Sequence, residues 1–240
     1  MNYKLGDPNA DSYVSTSFAN NYFSQRSGSS SWKNLAATGS TTATKQNYLI
    51  QATREIDMNN FMGDKYFDSQ ALQFPRSDHE VFTGACASPG TTYFKGANLW
   101  SSTYNRLPTD YFKDGTVHIT SGTSKGDTRV IASSNRLTGM VHVASAFTAT
   151  LDTTSNYLVL APIHSDIAKA QCEQVLYIMD SGLQKYLEFK HQGISGVSIG
   201  DVSVNLQKYG NSPIALQTLG FYARRFLSRF FRQVVRIARQ

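Results

Sequence analysis

Five histidines are the first candidates for chemistry: His79, His118, His142, His164 and His191. No two stand at the i,i+4 spacing that puts paired ligands on one helix face, and no HExxH occurs. His118 and His142 fall in predicted strands, where they could be neighbours across a ladder. That reads as a polar cross-strand pair rather than a metal site. Cys86 and Cys172 lie far apart and form no CxxC pair. Cys172 falls on the apolar stripe of a predicted helix, as a buried free thiol would. Asp64 and Asp68 are too isolated for a carboxylate dyad. No GxxxxGK[ST], GxGxxG or GxSxG occurs. Gly122-Thr123-Ser124-Lys125-Gly126 looks loosely phosphate-friendly, yet it joins two predicted strands and reads as a hairpin turn. Triads are spatial rather than sequential, but nothing here asks for catalysis. The expectation is a protein that is not an enzyme, with no cofactor and no metal.

Charge is the stronger signal. The 240 residues carry a net +6, and all 17 acids lie at or before Asp201. The first 201 residues sum to −1 and the last 39 to +7. Such asymmetry points to an anionic partner. Asn211-Ser212-Pro213 is a helix start, with Pro213 in the first turn where its missing N–H costs nothing. A helix from Pro213 to Arg239 would be roughly 40 Å long. On it, Arg225, Arg229, Arg232 and Arg236 fall within about 60° of one another. Phe226, Leu227, Phe230, Val234 and Ile237 fall opposite. Aligned like charges with no acid among them repel unless something negative faces them. The candidate residues for binding an anionic partner are Arg224, Arg225, Arg229, Arg232, Arg236 and Arg239. Phe226, Leu227, Phe230, Phe231 and Val234 are the candidate apolar docking face. The aromatic pairs Phe221-Tyr222 and Phe230-Phe231 make that face too broad to leave wet.

The elements that must position these residues have three textures. Residues 1–80 look helical. Ser15 or Thr16 can cap a helix over Thr16–Gln25, Arg26–Ser31 reads as a loop, and a second helix runs over Ala43–Asn59 with Leu49, Ala52 and Ile56 on one side. Trp32 is expected near the junction of the two. Residues 81–161 turn to short β-branched runs between turn signals: Thr116–Thr120, Thr128–Ala132, Met140–Val143 and Tyr157–Leu160. Their spacing predicts an antiparallel β module. From Ser165 a long helix reaches about His191, with Ala168, Cys172, Val175, Leu176, Met179, Leu183 and Tyr186 as its buried stripe. Val197–Val204 can form a short strand. No run approaches the roughly 20 apolar residues of a membrane span. Met1–Pro8 lacks a signal core, so a cytoplasmic origin is expected.

Several fragments together carry a resemblance. Ala10-Asp11-Ser12-Tyr13-Val14-Ser15 is followed by Phe18-Ala19, Tyr22-Phe23 and Trp32. Leu49-Ile50-Gln51-Ala52-Thr53 is followed by Ile56-Asp57 and Gly63. Gln70-Ala71-Leu72-Gln73-Phe74-Pro75-Arg76 stands where the family has Trp-Pro-Arg, with Phe74 in place of Trp. Pro162-Ile163, Ala170-Gln171-Cys172-Glu173 and Ile199-Gly200-Asp201-Val202-Ser203-Val204 continue the order. The sequence resembles the head–tail connector (adaptor) proteins of long-tailed bacteriophages, some of which are described as DnaT-like single-stranded-DNA-binding proteins. The match covers roughly residues 10–80 and 162–235.

The resemblance implies an α+β protein: a helical-bundle adaptor core with an inserted antiparallel β module and a long amphipathic C-terminal helix. Its parts would be residues 1–80 and 162–212 for the two halves of the core, 81–161 for the insertion and 213–240 for the basic helix. It implies a structural virion protein of the neck, made in the host cytoplasm and forming a homo-oligomeric, dodecameric ring. The ring would join the portal protein to tail or tail-completion proteins and continue the channel for genomic double-stranded DNA. The competing readings are a single-stranded or non-specific nucleic-acid-binding protein, and an amphipathic helix lying on a membrane surface. The last is set aside, so no membrane partner is expected.

Overall fold

Ser15 accepts a hydrogen bond from the Phe18 amide at 3.1 Å, and this cap opens α1 (Thr16–Gln25). The computed structural model describes residues 1–37, 42–99, 108–135, 137–180, 196–199, 202–205 and 219–232. The chain divides into two compact units. One comprises Met1, Val14–Met62 and Ser165–Gln240; the other comprises Asn2–Tyr13 and Gly63–His164.

The helical unit holds α1, α2 (Ser30–Ala37), α3 (Thr42–Asp57), α4 (Ser165–Met179) and α5 (Phe221–Leu227), the last running into a 3-10 turn over Ser228–Phe230. A hairpin of β7 (Gly196–Ile199) and β8 (Val202–Asn205) belongs to the same unit. α4 is the central element. Ile167, Ala168, Ala170, Cys172, Val175 and Ile178 are all buried, as are Gln171, Glu173 and Gln174. A helix buried on that many sides is enclosed by neighbours; here they are α1, α2, α3 and α5. Trp32, 1% exposed, lies 4.8 Å from the Phe23 ring, donates to Asn20 Oδ1 at 3.0 Å and has the Lys45 ammonium above it. It therefore closes the junction between α1 and α3.

The other unit is built on period-two alternation. Phe82 and Cys86 of β1 (Val81–Ala87) point inward, as do Phe94 of β2 (Tyr93–Gly96) and Val117 and Ile119 of β3 (Thr116–Ser121). Ile131 of β4 (Thr128–Asn135), Val141 and Val143 of β5 (Met140–Val143) and Tyr157 and Val159 of β6 (Asn156–Leu160) complete the lining. The strands pair in the order β1-β2-β5-β4-β3-β6, every pair antiparallel, and β6 pairs back onto β1. Closure leaves no strand edge without a partner. The interior is filled by side chains rather than hollow. The Tyr157 hydroxyl reaches between Gly84 and Gly96, where an added Cβ would stand 2.6 and 2.5 Å from it.

One polar device fastens the N-terminal segment to this barrel, and a second holds the 63–77 loop together. His118 Nε2 lies 2.9 Å from the Leu5 carbonyl and Nδ1 lies 3.1 Å from Thr128 Oγ1, which assigns the neutral tautomer with the proton on Nε2. In the 63–77 loop, Gln70 Nε2 donates to the Leu72 and Pro75 carbonyls at 2.8 and 2.9 Å. Buried Arg76 donates to Gln73 Oε1 at 2.9 Å and to the Gly63 carbonyl. The Phe74-Pro75-Arg76 motif, whose Phe74–Pro75 peptide is cis, thus works as a loop organiser.

This architecture corrects the expected fold class. The structure has a closed six-stranded antiparallel barrel and short helices, not a helical-bundle core with a long C-terminal helix. β1 and β2 were not foreseen, and they are the strands that turn an open set of four into a ring. The terminal helix is cut at both ends. Gly220 is its non-helical cap, and a Cβ there would lie 2.8 Å from Tyr177 Cβ on α4. Phe231 is extended and bridges to Phe61, with Met62 N donating to Phe230 O at 2.8 Å. α4 runs to Met179 and the described residues to Asp180, so the expected stripe positions Leu183 and Tyr186 lie outside the described residues. His118 and His142 are not ladder neighbours: His118 faces Thr128 and Leu158, and His142 faces Tyr93 and Ser133.

Two outcomes follow. Gly96→Ala has no room beside Tyr157 and Leu99, and it should cost about 1–3 kcal/mol of stability in urea unfolding, the usual range for overpacking. Burial lowers the pKa values of His118 and His79 below 6.5, only partly opposed by their backbone hydrogen bonds. In the window just below 6.5 the unfolded chain then binds more protons than the folded one, so stability is held above that pH and lost as pH falls through the folded values. Urea midpoints between pH 7.5 and 5.5 should fall with acid, and less steeply in His118→Gln.

Candidate nucleic-acid interface

Polar contacts radiate to the neighbouring elements from three residues within one turn of α4, Gln171, Glu173 and Gln174. Gln171 accepts from the Val14 amide at 3.1 Å and donates to the Leu49 carbonyl at 3.0 Å. Gln174 donates to Glu55 Oε2 at 2.5 Å and accepts from the Gly220 amide at 2.8 Å, which sets where α5 begins. Glu173, whose side chain is 5% exposed, takes both Arg26 Nε at 2.6 Å and Arg26 Nη2 at 3.1 Å. Tyr22 donates its hydroxyl to the same carboxylate at 2.5 Å. The paired carboxylate holds the Arg26 guanidinium above its ordinary pKa, and burial together with Glu173 pushes the Tyr22 phenol up. A forked guanidinium held bidentately has one orientation. Here that orientation puts its centre 5.3 Å from the Tyr222 ring.

Tyr222 belongs to an unusual surface. Phe221 is 72% exposed and Tyr222 52%, with their rings 5.4 Å apart edge to face. Two positions on, Arg224 and Arg225 are exposed and make no ion pair among the described residues. Ala223 and Leu227 on the opposite side of α5 are buried, so the short helix is fixed by its apolar side and offers aromatics and guanidiniums to solvent. Beside it lies a cleft of about 570 Å³, whose lining includes Arg26, Glu173, Tyr177, Asp180, Phe221 and Tyr222. The helical unit carries 14 lysines and arginines against 7 acids, whereas the barrel unit carries 9 against 10. The positive charge therefore sits in the unit that presents the exposed aromatics.

The residues singled out from sequence are placed as follows. Arg224 and Arg225 are exposed on α5. Arg229 sits on the 3-10 turn, paired with Asp166 at 2.8 Å and lying 4.9 Å over Phe230. Arg232 is exposed beyond the turn, where its amide donates to Asn60 O at 3.2 Å. Leu227 is buried, Phe226 and Phe230 are half-buried, and Phe231 stacks on Phe61 at 5.4 Å. Arg236, Arg239 and Val234 lie outside the described residues. No cluster of three or more metal-ligating side chains occurs among the described residues. Arg26 and Glu173 escaped the sequence reading, because 147 residues separate them. Phe221 and Tyr222 had a visible signal, an aromatic pair directly ahead of Arg224-Arg225, but it was read as an apolar docking face.

Exposed aromatics beside unpaired guanidiniums are the parts from which single-strand-binding surfaces are made: rings for bases and cations for phosphates. Residues 5–89 match the family described as "Putative DnaT-like ssDNA binding protein". That segment holds α1 to α3, Arg26 and the Gln70–Arg76 loop, about a third of the chain. No curated protein matches the chain. The family description speaks of single-stranded DNA and not of a virion, a portal or a neck, and it corrects the expectation of a virion connector.

The Arg26–Glu173 pair can be tested by stability alone. Arg26→Leu leaves a buried carboxylate with one partner fewer and should cost about 1.5–3 kcal/mol. Arg26→Leu combined with Glu173→Leu should cost less than Arg26→Leu alone, since no charge is then stranded. Urea denaturation of the four members of the cycle measures both.

Proposed function

We propose that this protein binds single-stranded nucleic acid through the face formed by Phe221, Tyr222, Arg26, Arg224 and Arg225. The observation that carries the reading is the Phe221–Tyr222 pair held in solvent beside two guanidiniums without ion pairs. Leaving two large rings wet costs free energy that a soluble domain has no reason to spend unless the rings meet a partner. A base has two apolar faces and a phosphate on either side, which fits rings and guanidiniums in alternation. A duplex keeps its bases stacked inside and offers only phosphate, so single strands should bind better. The family description of the 5–89 segment supports the same reading.

Fluorescence anisotropy with a labelled oligodeoxythymidylate tests it. Each stacked base is worth about 1–3 kcal/mol, so Phe221→Ala and Tyr222→Ala should each weaken binding roughly 5- to 150-fold. Affinity should fall with salt, and Arg224→Ala with Arg225→Ala should lower the slope of log K against log salt by about 1.4 in magnitude. Absence of binding at low salt, or equal binding by all these variants, would refute the proposal.

A further inference from the structure

The guanidinium of Arg26 stands in a different electrostatic situation from those of α5. Arg224 and Arg225 are exposed and make no ion pair among the described residues. Each of the three nitrogens of Arg26 already donates: Nε and Nη2 to the two oxygens of Glu173 at 2.6 and 3.1 Å, and Nη1 to the Ser27 carbonyl at 2.6 Å. The buried Glu173 carboxylate cancels its charge, so a phosphate arriving there would find a cation that carries its own counterion and would displace none. What Arg26 does offer is a fixed plane. Its centre lies 5.3 Å from the Tyr222 ring centroid, close enough for the cation to be attracted by the ring face. Tyr222 is otherwise half in solvent, met at its edge by Phe221. An exposed ring that can swing about its side-chain torsions loses that freedom when a base stacks on it. A ring already held loses less, and the difference appears as affinity.

We infer that Arg26 and Glu173 are positioning residues for Tyr222: the ion pair backs the ring, holds it in one orientation for a base and takes no phosphate itself. The inference rests on the single-strand reading above and assigns a role within it. It also links two parts of the chain. Arg26 lies in the 5–89 segment that matches the family, whereas Tyr222 lies outside it. The ion pair is therefore the contact by which the matched segment reaches the aromatic face of α5.

Anisotropy with a labelled oligodeoxythymidylate, repeated over a salt series, separates backing from phosphate contact. Arg26→Leu with Glu173→Leu removes both charges and strands neither. Arg26→Lys keeps a charge for phosphate but loses the bidentate fork. Each variant, with an unchanged circular dichroism spectrum, should weaken binding about fivefold, on the scale of one impaired stack. The slope of log K against log salt should stay as in wild type. On a Tyr222→Ala background the same changes should have no further effect, whereas a general structural role would weaken binding there too. A slope lowered by about 0.7 in the double variant, the mark of one lost phosphate contact, overturns the inference. So does an equal loss on the Tyr222→Ala background, or wild-type affinity in both variants; each of these leaves the surface reading standing if Tyr222→Ala itself weakens binding. No oligonucleotide binding by the wild-type protein at low salt overturns both.

Discussion

The helical unit depends on the polar seam of α4. A carboxylate and two carboxamides buried on a central helix would cost several kcal/mol if left unsatisfied. Each is satisfied by groups on surrounding elements: Gln171 by Val14 and Leu49, Glu173 by Arg26 and Tyr22, Gln174 by Glu55 and Gly220. Apolar packing alone would let the surrounding helices slide, because dispersion is not directional. Hydrogen bonds at 2.5–3.1 Å are, and they fix the helices in rotation and register. The same seam places the proposed binding surface. Glu173 aims Arg26 at Tyr222, and Gln174 sets the residue at which α5 starts.

The barrel is organised by closure instead. Six short strands become stable together because each covers the next one's backbone groups and all share one apolar interior. Gly84 and Gly96 are small because Tyr157 crosses the interior and needs the space. Its outer surface is close to electrically balanced, which is why the charge argument for binding attaches to the helical unit and not to this one.

The terminal arginines show how tertiary bonds override helical propensity. Four arginines in line on one long helix would share a face and repel. The chain divides the three that are described: Arg225 lies on α5, Arg229 on a 3-10 turn against Asp166, and Arg232 next to the Phe231 bridge to Phe61, in the segment after α3. That division relieves like-charge repulsion. It leaves Arg224 and Arg225 beside the exposed rings.

Local pattern settled the parts of this protein whose cause is local. The Ser15 cap and α1 over Thr16–Gln25, α3 to within two residues, and the runs that became β3, β4, β5 and β6 all follow from capping, periodicity and β-branching in neighbouring residues. Cys172 was legible as a buried free thiol, and the concentration of positive charge toward the chain's end was plain from composition. The α2 helix was not foreseen and its first two residues fell in the expected Arg26–Ser31 loop, because Ser and Gly dominate its approach; β1 and β2 were missed because Gly84 and Gly96 weaken their pattern. Only tertiary structure decided that the strands close into a ring, that the last helix stops at Leu227, and that Arg26 stands over Tyr222. Each of those depends on a partner more than sixty residues away, a carboxylate, a glycine gap or a bridging strand, and no pattern among adjacent residues encodes which distant group will meet which.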